Sequence, residues 1–172
     1  MPIKVSHKAE QKSNNLNEET QLSYNGILKM ANRIVYIKSK VYEDLLKLAK
    51  KYPSRIICGF IIGYKENNCF YIEDFHLFPA HVGPKIHFKP IWKGYYDAKD
   101  YITKFMCKEI IGEFHTHPDG NKELTEKDKQ ILKWLGAKIM VLVTPEDIIP
   151  IEYISPQKNQ PATYNKLDID VI

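Results

Sequence analysis

The sequence predicts an α/β fold: a single domain with a mixed central β-sheet flanked by helices. Three observations predict it. Apolar runs of strand length alternate with amphipathic runs of helical period, and turn-forming residues separate the two kinds. The third is size: 172 residues, 44% hydrophobic and 27% charged, suffice for one core and leave little for a second.

Residues 1–30 are polar and rich in Asn, Gln, Lys and Glu, too poor in apolar groups for a core, and are expected to form a flexible arm. The domain is expected over residues 31–155. RIVYIK (Arg33 to Lys38) alternates like a strand. Ser39 opens SKVYEDLLKLAKKYP, in which Val41, Leu45, Leu46 and Leu48 or Ala49 recur at helical spacing until Pro53 stops the run. IICGFIIG (Ile56 to Gly63) is continuously apolar, and KENN turns it into CFYIEDFHLF (Cys69 to Phe78), a hairpin with a buried first strand.

After prolines 79, 84 and 90, residues 91–107 place Trp92, Tyr95, Tyr96, Tyr101, Ile102 and Phe105 on a second helix, where core packing is their expected use. EIIGEFHTH reads as a strand, PDGNKEL as a loop, TEKDKQILKWLG as a helix closed by Gly136, and KIMVLVT as a buried strand. IIPIEYI is expected at a sheet edge, because Pro150 lacks the N–H that a central strand uses. Residues 156–172 are expected as a loosely ordered tail.

Charge and cysteine usage narrow the function classes. The net charge of +4 comes from lysines dispersed among acids, with no run of five basic residues, which argues against a nucleic-acid partner. Three cysteines, an odd number without a CxxC pair or a secretory signal, point to free thiols in a reducing, cytoplasmic setting. Cys58 and Cys107 are expected to be buried and inert. No apolar run approaches the roughly 20 residues that span a bilayer, so no membrane partner is expected.

The chemistry-bearing stretch is IGEFHTHPDGNKELTEKD, residues 111–128. On a strand His115 and His117 project from one face, about 7 Å apart along the chain, so their imidazoles can converge on one ion. Asp128, in the first turn of the next helix, can turn back as a third ligand. Two imidazoles and a carboxylate suit tetrahedral Zn2+ with a fourth position for water. Thr125 at the helix mouth offers a hydroxyl where a developing oxyanion would lie. Thr-x-x-Asp is also a capping-box signature, which by itself requires no metal. The loop histidines His76, His81 and His87 are read as surface polar groups.

HTHP, the ten residues between His117 and Asp128, and Thr125-x-x-Asp128 together resemble the JAMM (MPN+) zinc metalloprotease motif, in which most members carry Ser-x-x-Asp. CGFIIG (Cys58 to Gly63) is similar to that family's glycine-flanked apolar strand. The resemblance spans roughly residues 33–154. It implies a JAMM/MPN-type domain with zinc on His115, His117 and Asp128, and an isopeptidase acting on a ubiquitin-like or sulfur-carrier-like protein or its conjugate.

One position departs from the family. The catalytic glutamate expected three residues before the first glycine of the apolar strand is Ile56 here. A missing general base costs on the order of 10²- to 10⁴-fold in rate. Glu113, two residues before His115 and on the same strand face, is the candidate substitute, with orienting an imidazole as its other reading. Glu73 and Glu66 are read as surface charges. The alternative function is a zinc-retaining pseudoenzyme or scaffold that binds such proteins without cleaving them.

Overall fold

β1 (Ile34–Ile37) buries Val35 and Ile37 and half-covers Ile34 and Tyr36, the alternation of a strand with one core face. The computed structural model describes residues 33–82, 88–158 and 160–172; the arm expected over residues 1–30 and the histidine His87 lie outside them. α1 (Ser39–Lys51) buries Val41, Leu45 and Ala49, a single stripe at four-residue intervals, and ends ahead of Pro53 with Lys50 and Lys51 against its carbonyl end. β2 (Cys58–Glu66) is buried from Cys58 to Gly63 and exposed beyond. Asn67 and Asn68, at φ of 48° and 66°, turn it into β3 (Cys69–Leu77), and asparagine tolerates the left-handed backbone such a two-residue turn demands.

A separate hairpin of β4 (Ala80–Val82) and β5 (Phe88–Pro90) leads to α2 (Trp92–Asp100), which runs on through a π-helical turn at Tyr101–Phe105. β6 (Ile110–Thr116), α3 (Glu126–Leu135), β7 (Ile139–Val143), β8 (Ile148–Ile154), β9 (Thr163–Lys166) and β10 (Asp168–Val171) follow. The main sheet has eight strands in the order β10-β1-β3-β2-β6-β7-β8-β9. It is mixed: β1 runs parallel to β10 and β3, β6 runs parallel to β7, and the other neighbours are antiparallel. The α/β architecture with helices on a mixed sheet is thus present.

α1 seals one face of the sheet, packing Val41 and Leu45 on Val35, Ile37, Phe70 and Phe114. On the other face, Tyr95, Ala98 and Ile102 cover Ile56, Cys58, Phe60 and Ile62, while Leu132 of α3 covers Met140, Leu142 and Ile151. A bulge in the β2–β6 ladder separates the two sets: Ile61 faces Gly112 and Ile62 faces Ile110, so Ile111 is the extra residue and joins the α1 side. Glu113 opposite Phe60, and His115 opposite Cys58, therefore share the α2–α3 face. Gly112 permits this contact, because a Cβ there would lie 2.2 Å from the Ile139 carbonyl oxygen.

Several expectations need correction. The C-terminal segment is not a loose tail: Thr163–Lys166 pairs with β8 and Asp168–Val171 with β1. The compact unit accordingly extends to Ile172 rather than stopping near residue 155. β8 is not an edge strand, since β9 covers it; Pro150 lies just outside the β8–β9 ladder, which begins at Ile151, so its missing N–H costs no pairing there. Of the aromatic residues expected in the core, Tyr95 is buried, but Tyr96, Tyr101 and Phe105 are exposed. Cys58 is buried as expected, whereas Cys107 is exposed. Among the described residues no helix is long and apolar enough to cross a membrane.

β9 and β10 are separated only by Leu167, whose N–H donates to the Pro150 carbonyl at 3.0 Å. One chain segment thus covers both nominal edges of the sheet. Deleting residues 163–172 is expected to leave β1 and β8 with open edges and to produce aggregation or a broad, early thermal transition. Circular dichroism melting unchanged from the full chain would show the segment to be dispensable.

Candidate metal centre

Backbone pairing at the end of β6 aims the two histidines. Thr116 N–H donates to the Ile57 carbonyl at 2.8 Å, and Thr116 Oγ1 accepts from Ile57 N–H at 2.9 Å. On the opposite side His117 N–H donates to the Val143 carbonyl at 2.8 Å, so the strand geometry continues one residue past Thr116. His115 and His117 therefore emerge on the same face, their Nε2 atoms 2.9 Å apart.

The loop after His117 is fixed by its own polar groups. Asp119 Oδ1 accepts from Asn121 N–H at 3.2 Å, and Asn121 Oδ1 accepts from Glu123 N–H at 3.0 Å, successive Asx turns. The Asn121 carbonyl then lies 2.8 Å from His117 Nδ1. A carbonyl only accepts, so Nδ1 carries the proton and the Nε2 lone pair faces the site. Sequence reading missed Asn121 and Thr116 although both lie within residues 111–128, because one acts through its backbone carbonyl and the other through Ile57, just ahead of the neighbouring strand, and neither leaves a signal in residue type.

α3 delivers the third group. Thr125 is its N-cap: Thr125 Oγ1 accepts from Asp128 N–H at 3.2 Å, while Thr125 N–H and Oγ1–H both donate to Asp128 Oδ2 at 2.7 Å. This reciprocal box holds the Asp128 carboxylate against the imidazoles, with Oδ1 3.1 Å from His115 Nε2 and Oδ2 3.6 Å from His117 Nε2. The capping box of Thr-x-x-Asp is present, and the same geometry sets the Asp128 carboxylate where it could serve as a metal ligand.

Burial shapes the charges. It pushes the Asp128 carboxyl up, but hydrogen bonds from His115, His117 and Thr125 outweigh it and hold the group well below the usual carboxylate range. Burial dominates at His115 and lowers its pKa; at His117 the contacts with Asp128 and the Asn121 carbonyl outweigh burial and raise it. The three residues are each 3% exposed or less, and one donor atom from each lies within 4.8 Å of the others. Metal–nitrogen bonds of about 2.0–2.1 Å place tetrahedral donors about 3.3 Å apart; the two Nε2 atoms are 2.9 Å apart and His115 Nε2 is 3.1 Å from Asp128 Oδ1, while His117 Nε2 meets the other oxygen, Oδ2, at 3.6 Å. The trio is a group that could hold a metal ion.

The remaining candidates are placed differently. Continuing the β2–β6 register by two residues puts Ile56 opposite His117, buried among Cys58, Phe60 and Tyr95 with no polar atom to offer. Glu113 is 3% exposed on the ligand face, and its Oε1 accepts from the Tyr95 hydroxyl at 3.0 Å. It lines a cavity to which none of the three metal-site residues contributes. Glu73 sits in ion pairs with Lys38 and Lys108, and Glu66 is exposed, in keeping with surface roles. His76 packs against Tyr101 with the rings tilted by 34° and their centroids 5.4 Å apart. The Cys58 thiol, pushed up to about 12 by burial and then by Glu113, is no nucleophile.

No family model matches the chain. No curated protein matches it either. Among solved structures it is similar to the solution structure of protein DSY2949 from Desulfitobacterium hafniense, with a TM-score of 0.62 and 15% identity over 80% of this chain and 92% of that one. At that identity the likeness is one of fold.

Glu113 makes a pH prediction. Burial raises its carboxyl to about 8, with the Tyr95 hydroxyl and Lys99 opposing, so the folded state holds a proton that the unfolded chain, near 4.5, has released. Its contribution to stability is complete below pH 4.5 and is lost as pH rises through about 8. In metal-free protein, Glu113→Gln is expected to flatten the fall in stability between pH 5 and 8. Urea midpoints with the same pH slope in both proteins would contradict it.

Proposed function

We propose that the protein is a zinc-dependent metallopeptidase or isopeptidase of the JAMM type, cleaving a ubiquitin-like or sulfur-carrier-like protein from its conjugate. One observation carries the reading: two imidazoles and a carboxylate, all buried, converge so that one donor atom from each lies within 4.8 Å of the others. This donor set favours zinc over the hard cations that prefer all-oxygen shells. Bound zinc would supply a Lewis acid for the scissile carbonyl and acidify a water. The substrate class rests on the resemblance of the HTHP and Thr-x-x-Asp motifs, and the cytoplasmic setting on three unbridged cysteines.

The side chains have separable tasks. His115, His117 and Asp128 hold the ion, and the Asn121 carbonyl keeps His117 in the ligating tautomer. Thr125 positions Asp128 and serves as the oxyanion donor; for that its O–H must turn from Asp128 Oδ2 while its lone pair keeps the Asp128 N–H. Glu113 lies two residues before His115 on the same face of β6, and acting as proton acceptor requires its carboxyl to be ionised and to leave Tyr95. Ile56 favours a second reading, in which the centre is retained for binding a conjugate and no base is present.

Purified protein is expected to carry one zinc per chain by elemental analysis, and His117→Ala or Asp128→Ala to carry almost none. Near-zero zinc in all three removes both readings. Hydrolysis of a ubiquitin-like fusion by the natural chain supports the peptidase. A chain that binds zinc but is inert until Ile56→Glu is introduced supports the binding protein instead.

Thr125→Ala is expected to lower stability by about 1 kcal/mol through the lost cap, and to lower turnover further than the unfolded fraction explains. Thr125→Ser should preserve both. Full turnover per folded alanine variant would confine Thr125 to capping.

A further inference from the structure

At the other end of α3 and β6 from the three ligands lies a cavity of about 190 Å³. Phe60, Ile110, Leu135 and Ala137 give it apolar walls, and the charged groups lining it are Glu113, Lys99 and Lys138. Glu113 forms its floor: 3% exposed, with Oε1 fixed by the Tyr95 hydroxyl and Oε2 buried without a hydrogen-bond partner. A buried carboxyl oxygen left unmatched is costly, so its setting calls for a polar partner from a ligand. The carbonyl end of α3, at Leu135 and Gly136, adds partial negative charge to the same wall. Lys99 and Lys138 are exposed and mark the mouth.

We propose that this cavity is a second ligand site, independent of the metal centre, for a small zwitterion whose primary ammonium and carboxylate are joined by an apolar stem. The ammonium donates to Glu113 Oε2, the carboxyl releasing its proton to solvent as the ligand binds, and faces the α3 carbonyl end. The stem lies along Phe60, Ile110 and Leu135, and the carboxylate meets Lys99 and Lys138. A simple cation gains the floor and is opposed at the mouth, a simple anion the reverse, and a zwitterion is matched at both ends. Tyr95 is a positioning residue here, because its hydroxyl holds Oε1 and leaves Oε2 as the unmatched oxygen.

The test is calorimetric titration of the full chain with 6-aminohexanoate, n-hexylamine and hexanoate, repeated on variants. The zwitterion is expected to bind tightest, about tenfold or more above either half-molecule, and Glu113→Gln to weaken it by a similar factor. Lys99→Ala with Lys138→Ala should erase the preference for 6-aminohexanoate over n-hexylamine. Ala137→Phe fills the cavity without touching the carboxylate and should abolish binding, so the proposal stays decidable if Glu113→Gln fails to fold. Nα-acetyl-lysine binding tighter than 6-aminohexanoate assigns the site to a lysine-terminated chain, and the converse to a free amino acid. Failure of all probes to bind, equal affinity for the three, or binding indifferent to Glu113→Gln and Ala137→Phe overturns it.

Discussion

The Asp128 carboxylate is asked to do two things at once, and the site exists because the two demands coincide. Oδ2 closes the α3 cap through Thr125 N–H and Oγ1–H, and the same carboxylate then has one orientation available, with Oδ1 at His115. A cap fixes a first-turn side chain far better than solvent would, since it satisfies backbone donors otherwise left open. The cost of burying the charge is offset by three hydrogen-bonding neighbours, and so the group stays ionised in a 3%-exposed position. Preorganisation of the third candidate ligand is therefore a by-product of starting a helix.

The histidines depend on the sheet in the same indirect way. β6 is flanked by β2 and β7, and pairing on both sides extends to residues 116 and 117, so the strand end cannot fray. His117 gains its tautomer from a loop carbonyl set by two Asx turns. The sheet in turn has its nominal edges covered by one segment, residues 163–171, which adds to β8 and to β1. The C-terminal strands and β6 thus belong to one continuous sheet.

The α2–α3 face has two chemically different ends. At the α3 N-terminus, positive helix polarity meets Asp128 and the imidazoles; at its C-terminus, negative polarity meets the cavity floored by Glu113. The acid that strand periodicity aligns with His115 is held by Tyr95 from the neighbouring helix. That contact separates the question of a general base from the question of a ligand site, although one residue stands in both.

Much of this was determined by the sequence itself. The 2.0-residue period of a strand puts His115 and His117 on one face, the 3.6-residue period and Thr-x-x-Asp start α3 at Thr125, and Gly136 ends it at φ of 65°. These are local rules, and the three candidate ligands obeyed them. The C-terminal strands were not legible, because Thr163 to Val171 are mostly exposed and carry a weak apolar pattern, their order coming from ladders with β8 and β1. Likewise, alternation could align Glu113 with His115, but only the tertiary structure could decide that Tyr95 from α2 claims its carboxylate. Periodicity reports the direction a side chain takes from its own backbone, and its hydrogen-bond partner comes from whichever element packs above it.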